Sequence, residues 1–258
     1  MNIKVLLDNT AKSGFESVHG FSLLIEADKK ILFDLGPNEL FRKNAAKLGE
    51  DLTDVETVVL SHGHWDHGDG LAYLNGKQLI LHPDSFTRRS GKINGTNVGL
   101  SFSREDIQKD YEILECKEPY WISGSIVFLG EIPRENDFES KDTSFVLSDG
   151  SSDFVLDDSA IVIKSDKGLV VISGCAHSGI CNTVSYAQKV CNTEQVYAVL
   201  GGFHLRKLDQ VTQKTIEFLC QQKVELVGPT HCTGFKVRDE FKKHLSVLDL
   251  NAGDQIEL

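Results

Sequence analysis

Long apolar runs are missing from this chain. No stretch approaches the ~18 consecutive apolar residues of a membrane-spanning helix, which argues against that class of protein. A secretory leader is missing as well. Met1-Asn2-Ile3-Lys4-Val5-Leu6-Leu7-Asp8 is too short and too soon acidic to serve as one. The expectation is a cytoplasmic protein with no membrane partner. Basic residues are in deficit, with 27 Lys and Arg against 38 Asp and Glu and a formal charge of -11. A nucleic-acid backbone needs a basic face, so no nucleic-acid partner is expected, although a local basic pocket remains compatible with this charge. None of the six cysteines (Cys116, Cys175, Cys181, Cys191, Cys220 and Cys232) falls in a Cys-x-x-Cys pair. A cytoplasmic chain of this size needs no disulfides. Repeats and low-complexity segments are absent too.

What is present suits a globular fold. At 258 residues, 40% hydrophobic and 25% charged, the chain can bury a full core, as one large domain or two small ones. Strand patterns cover Ile3 to Leu7, Phe21 to Glu26 and Lys30 to Asp34. A 3.6-residue period over Leu40, Phe41, Ala45 and Leu48 predicts a helix from Glu39 to Leu48. A strand then enters His62, a short helix starts at Gly70 with Asp69 as its cap, and a strand covers Gln78 to Leu81. Later strands are expected at Tyr111 to Glu115 and Tyr120 to Leu129, with a hairpin of Ala160 to Lys164 and Gly168 to Ile172. Helices from Gly179 to Cys191, Leu208 to Gln221 and Arg238 to Val247 then alternate with strands Val196 to Leu200 and Val224 to Val227. Cys191 and Cys220 read as core thiols on their helices. Strands first, then strand and helix units, fit an α/β fold of two sheets packed face to face with helices outside. The expectation is a single domain over 1–258. Residues 82–110, rich in turn formers, read either as an insertion able to cover a site or as a plain surface loop.

The most informative segment is Ser61-His62-Gly63-His64-Trp65-Asp66-His67-Gly68. It follows Val55-Glu56-Thr57-Val58-Val59-Leu60, which reads as a buried strand. Imidazole suits zinc, iron, manganese and nickel, and a carboxylate hardens the site. At the turn after a strand, His62 and His64 can grip one ion while Asp66 and His67 grip a second.

This His-x-His-x-Asp-His segment resembles the signature of the metallo-β-lactamase superfamily. Leu32-Phe33-Asp34-Leu35-Gly36 looks like that family's early strand and turn. Gly174-Cys175-Ala176-His177-Ser178-Gly179 and Gly228-Pro229-Thr230-His231-Cys232-Thr233-Gly234 fall where its later ligand loops are expected. With Gly201-Gly202-Phe203-His204-Leu205, the set resembles the branch of dihydropterin ribofuranosylaminobenzene phosphate synthase-like proteins. The resemblance implies an αββα sandwich of two mixed sheets with helices on the outer faces. It implies that His177 joins His62 and His64 at a first metal, and that His231 joins Asp66 and His67 at a second. The cofactor expected is one or two transition-metal ions, zinc first, with iron or manganese as alternatives. Cys175 stands where many members carry a bridging aspartate, so no bridging carboxylate is expected and the second metal should bind weakly.

Other residues complete the candidate site. The amides that open the helix after Ser178-Gly179 can receive an anion. Glu131 and Arg134 flank a proline turn, and Arg134 and Arg206 offer planar forks suited to phosphate. His204 reads as a general acid near the leaving group, because imidazole titrates near neutral pH, with a ligand role as the alternative. Asp66 would orient water as well as hold metal. The function expected is a metal-dependent hydrolase or transferase acting on a phosphorylated, anionic small molecule, pterin-like by the resemblance. A metal lowers the pKa of bound water toward neutrality. A lactonase or thioesterase, a di-iron redox protein and a non-enzymatic metal-bound sensor are the alternatives. The oligomeric state is left open.

Overall fold

β-Branched runs bounded by turn formers decide most of this fold, which a computed structural model describes over residues 1–258. In chain order come β1 (Asn2–Leu7), β2 (Ser22–Glu26), β3 (Lys30–Phe33), α1 (Leu40–Lys47), β4 (Thr57–Val59), α2 (Trp65–Gly68), β5 (Lys77–Leu81), β6 (Arg89–Gly91), α3 (Arg104–Ile107) and β7 (Tyr111–Glu115). Then follow β8 (Tyr120–Trp121), β9 (Ile126–Phe128), β10 (Phe145–Leu147), β11 (Ser152–Asp153), β12 (Ala160–Ser165), β13 (Gly168–Ser173) and α4 (Ile180–Cys191). The last are β14 (Val196–Gly202), α5 (Gln210–Gln221), β15 (Leu226–Thr230), α6 (Phe235–Phe241), β16 (Ser246–Val247) and β17 (Gln255–Glu257). The chain divides into two compact units. The first holds Met1–Lys117, Thr143–Asp153 and Asn251–Leu258, and the second Glu118–Asp142 and Phe154–Leu250.

The first unit is built on a seven-stranded sheet of order β17-β1-β2-β3-β4-β5-β7. Its β1–β2–β3 meander is antiparallel, and β3, β4, β5 and β7 run parallel. Parallel strands need crossovers, and α1 supplies the one between β3 and β4. Leu6, Leu24, Leu32, Val58, Leu79 and Phe41 close its core. Phe41 is fully buried, so truncating it to alanine would cost about 3–5 kcal/mol.

The second unit repeats the plan with a sheet of order β16-β15-β14-β13-β12-β9-β8. The β9–β12–β13 part is antiparallel, whereas β13, β14, β15 and β16 run parallel. Helices α4, α5 and α6 are its crossovers. Val162, Val171, Val199 and Val227 from the strands pack with Ile180, Val184, Ile216 and Leu219 from the helices. Near-continuous Val and Ile runs, as in β12 and β13, are what a strand covered on both faces requires. Two large mixed sheets with crossover helices match the α/β class expected. No helix is long and apolar enough to cross a membrane.

Several local expectations are corrected. The Tyr120 to Leu129 strand is broken, because Ser123 accepts the Ile126 amide in a turn that makes β8 and β9 an antiparallel pair. The short helix expected from Gly70 is present as a 3-10 turn over Asp69–Tyr73, directly after α2, but Asp69 does not cap it, since its carboxylate is taken by the amide and hydroxyl of Ser101. The last helix begins at Phe235, directly after Gly234, while Ser246–Val247 forms strand β16 against β15. Cys220 is exposed rather than a core thiol, because the buried stripe of α5 is Thr212, Thr215, Ile216 and Leu219. Residues 82–110 hold β6 and α3, and β6 joins β10 and β11 in a small sheet pinned by the buried Arg89–Asp153 ion pair at 3.2 Å.

Candidate metal centre

In both units the candidate ligands follow the carboxyl ends of parallel strands, where open α/β sheets place their ligands. On the first unit the chain leaves β4 through Leu60 and Ser61 into His62. His62, His64, Asp66 and His67 are all buried. Gly63 permits this turn, because a Cβ there would lie 1.7 Å from the Ser85 carbonyl oxygen. Residues 82–110, read either as a cover or as a plain surface loop, brace this turn together with Phe145. His64 bridges to Gly99, the Trp65 amide donates to the Val98 carbonyl at 3.2 Å, and the Phe145 ring meets His64 edge-on at 4.8 Å.

Asp34, at the end of β3, fixes the protonation of this set. Its carboxylate accepts the Ser61 amide at 2.8 Å, the Ser61 hydroxyl at 2.8 Å and Nδ1–H of His67 at 2.7 Å. The Ser61 hydroxyl, having donated to Asp34, must accept from Nδ1–H of His62, 2.9 Å away. Both imidazoles therefore carry their proton on Nδ1 and present a lone pair at Nε2, the form that binds a metal. His62 Nε2 and His64 Nδ1 stand 3.0 Å apart. Two nitrogens on arms of about 2.0–2.1 Å in a tetrahedral zinc site are separated by roughly 3.3 Å. The donor set thus fits a metal ion. Asp66 Oδ2 lies 3.8 Å from His67 Nε2 and 3.1 Å from Nε2 of His19. His19, exposed in the loop before β2 and not singled out by the sequence, is a partner of Asp66.

On the second unit, Cys175 and His177 follow β13, His204 follows β14, and His231 and Cys232 follow β15. Ala176, His204 and His231 all adopt left-handed backbone, with φ of 55°, 53° and 51°. Such conformations cost non-glycine residues about 1–3 kcal/mol and cluster at functional sites. The ligand atoms of Cys175, His177 and His204 lie within 4.8 Å of one another, as do those of Cys175, His231 and Cys232. The His177 and His204 rings are 4.3 Å apart, and Nδ1 of His204 is buried without a hydrogen-bond partner. Burial pushes the Cys232 thiol up, but its contacts with Cys175 and His204 and the nearby His231 outweigh that and hold it well below the ordinary thiol range.

The substrate-binding candidates fare differently. Arg134 spends Nε on the Ser140 hydroxyl and Nη2 on the carbonyls of Phe154 and Val155. Ser178 gives both its amide and its hydroxyl to buried Asp158, at 2.9 and 2.5 Å. The helix start that was expected to receive an anion is already occupied by a side-chain carboxyl. Glu139 accepts the amides of Cys181 and Asn182 at 2.9 and 3.0 Å. Glu131 is half-buried, and Arg206 is exposed beside His204.

Burial pushes the Glu139 carboxyl above the usual range, against the pull of those amides and of Asn136. The folded chain then keeps this proton at pH values where the unfolded chain has lost it, so stability falls as pH rises through that window. Urea midpoints measured from the ordinary glutamate range upward should fall relative to those of Glu139→Gln. The variant itself should be less stable throughout, since an amide cannot accept from both Cys181 and Asn182. Parallel pH profiles for the two proteins would contradict this.

Residues 18–77 match the family model of the metallo-β-lactamase superfamily. The chain is 37% identical over 245 residues to an uncharacterized protein of Methanocaldococcus jannaschii, covering 91% of each. It is 34% identical over 254 residues to 7,8-dihydropterin-6-methyl-4-(beta-D-ribofuranosyl)-aminobenzene-5'-phosphate synthase of the same organism, covering 89% of this chain and 85% of that one. A solved structure of a metal-dependent hydrolase of the β-lactamase superfamily superposes with a TM-score of 0.90 at 32% identity, over 100% of this chain and 99% of the other. The chain belongs to the metallo-β-lactamase superfamily. Within it, the similarity runs to the metal-dependent hydrolases and to a pterin-related synthase.

Proposed function

We propose that this protein is a cytoplasmic metal-dependent hydrolase or transferase that acts on a phosphorylated, anionic small molecule, of pterin type if it follows its synthase relative. The observation that carries the metal-dependent part is the locked tautomer pair. Asp34 and Ser61 hold His62 and His67 so that each offers a lone pair at Nε2. The ligands assigned are His62, His64, Asp66 and His67 on the first unit and His177 and His231 on the second. Zinc suits imidazole and carboxylate donors. A bound ion would polarise the electrophile and make water nucleophilic near neutral pH. Asp66 would accept a hydrogen bond from that water and orient it. His204 would protonate the leaving group. Arg206, exposed next to His204, is the cation assigned to the phosphate; Arg134, Glu131 and Ser178 support the loops.

Elemental analysis of protein prepared without chelator tests the reading. It should give one to two transition-metal ions per chain. A parallel screen should find turnover of phosphoesters or pyrophosphates and little of lactones. No metal, together with no uptake of zinc, iron or manganese, would end the metal-dependent reading. Turnover confined to lactones would end the phosphate one.

A further inference from the structure

We propose that Cys175, His231 and Cys232 form a thiolate-rich donor set on the second unit, and that it gives the chain a preference for zinc over manganese or magnesium. The inference rests on the metal-dependent reading above and deepens it by naming the soft donors. The three ligand atoms lie within 4.8 Å of one another. In a tetrahedral site with arms of about 2.0–2.3 Å, donor atoms stand roughly 3.3–3.8 Å apart. The set therefore needs to contract by at most about 1.5 Å to reach those separations, which side-chain rotation can supply.

The backbone makes room for this meeting. Cys175 follows β13 and Cys232 follows β15, while β14 runs between those strands. β14 ends in Gly201-Gly202. A Cβ on Gly202 would fall 2.7 Å from Cys232 Sγ and 3.1 Å from Cys175 Cα. Glycine at this position is what lets the two thiol-bearing loops approach over the end of the middle strand. His231 is held there in left-handed backbone, directly before Cys232. Cys232 makes two contacts of ordinary length for sulfur. Its Sγ accepts the His204 amide at 3.3 Å and donates to the Cys175 carbonyl at 3.6 Å.

Chemistry decides the preference. Sulfur donors select zinc and other soft or borderline ions, whereas carboxylate, carbonyl and water suit magnesium and manganese. The first unit's imidazoles favour zinc over manganese only by the general order of divalent affinities, and Asp66 suits either ion. Two thiolates beside an imidazole discriminate strongly. The competing account is that Cys232 is only a bracket between loops, and serine would replace it in that role because a hydroxyl both donates and accepts.

The test is a titration of metal-free, reduced protein with cobalt(II) alone, followed by absorption. The wild type should develop a near-ultraviolet sulfur-to-cobalt charge-transfer band as metal is taken up. The band should fall by about half in Cys232→Ser and again by about half in Cys175→Ser, one thiolate being lost each time. The wild-type spectrum stands independently of how either variant folds. Cobalt uptake with no such band overturns the proposal and leaves the metal-dependent reading in place. A band untouched in Cys232→Ser and abolished in Cys175→Ser overturns it as well, since a single thiolate would account for the spectrum. No cobalt uptake at all overturns both.

Discussion

Asp34→Asn is expected to weaken metal binding by about 10–100-fold while the chain stays folded. The wild-type carboxylate accepts three donors: the Ser61 amide, the Ser61 hydroxyl and Nδ1–H of His67. An asparagine of the same shape keeps one acceptor oxygen and turns an NH2 group toward the other partners. His67 must then accept at Nδ1, which moves its proton to Nε2 and removes the lone pair that would face a metal. The Ser61 hydroxyl loses its acceptor too, and with it the reason for His62 to keep a proton on Nδ1. Asp34 sits in left-handed backbone at φ 55°, a conformation asparagine also tolerates, so the change is electronic rather than conformational. Asp34→Ala should in addition cost about 1–3 kcal/mol for each buried donor left without a partner. Zinc affinity by chelator competition, with nitrogen NMR of the His67 ring, reads both effects. An Asn variant with wild-type affinity and a proton still on Nδ1 would show that Asp34 does not set the tautomer.

How much of this was legible in the sequence depends on how far apart the partners stand. His62, His64, Asp66 and His67 were readable because a single turn carries them and their spacing alone speaks. Asp34 was visible only as part of a strand-and-turn mark. Its partners lie 27 and 33 residues away, and nothing local announces the pairing. Glu139 was hidden for the same reason. It sits in an irregular acidic stretch and caps a helix whose first amides belong to Cys181 and Asn182, 42 and 43 residues on. That distance also explains why Ser178 and its helix looked open to a substrate anion.

Regular elements were legible where the apolar period was clean. Tyr111–Glu115 and the hairpin of β12 and β13 fall as the pattern places them. The period misled at Cys220, which follows Ile216 by one turn yet lies past the edge of a buried stripe that runs through Leu219. Strands β6, β10 and β11 were illegible because each is very short; β10 and β11 form a local hairpin, but its pairing to β6 and the Arg89–Asp153 ion pair, 64 positions apart, are long-range ties with no apolar pattern to mark them. The two glycine-bounded histidine loops were marked by motif. Their left-handed backbone at Ala176, His204 and His231 was not, since φ above zero is uncommon for any residue but glycine and nothing local announces it.

His204→Ala should keep metal content near wild type and lower kcat by ~10²–10⁴-fold, the range for losing acid–base assistance. The prediction turns on the leaving group. A poor leaving group needs a proton as its bond breaks, and His204 is the residue assigned to give it. A nitrophenolate leaves without one, so on that substrate the variant should lose much less, because the attacking water and its orientation by Asp66 are unchanged. The geometry also offers the opposing account. The His204 ring stands 4.3 Å from that of His177, and its ligand atom clusters with those of Cys175 and His177. If His204 were a ligand, alanine would lower metal content and reduce turnover equally for every leaving group. Metal analysis and the two rate ratios, taken on one preparation, separate these cases. Full metal with full activity on poor leaving groups would leave His204 with a structural role, which its left-handed backbone at φ 53° and its buried, unbonded Nδ1 would then have to explain without catalysis.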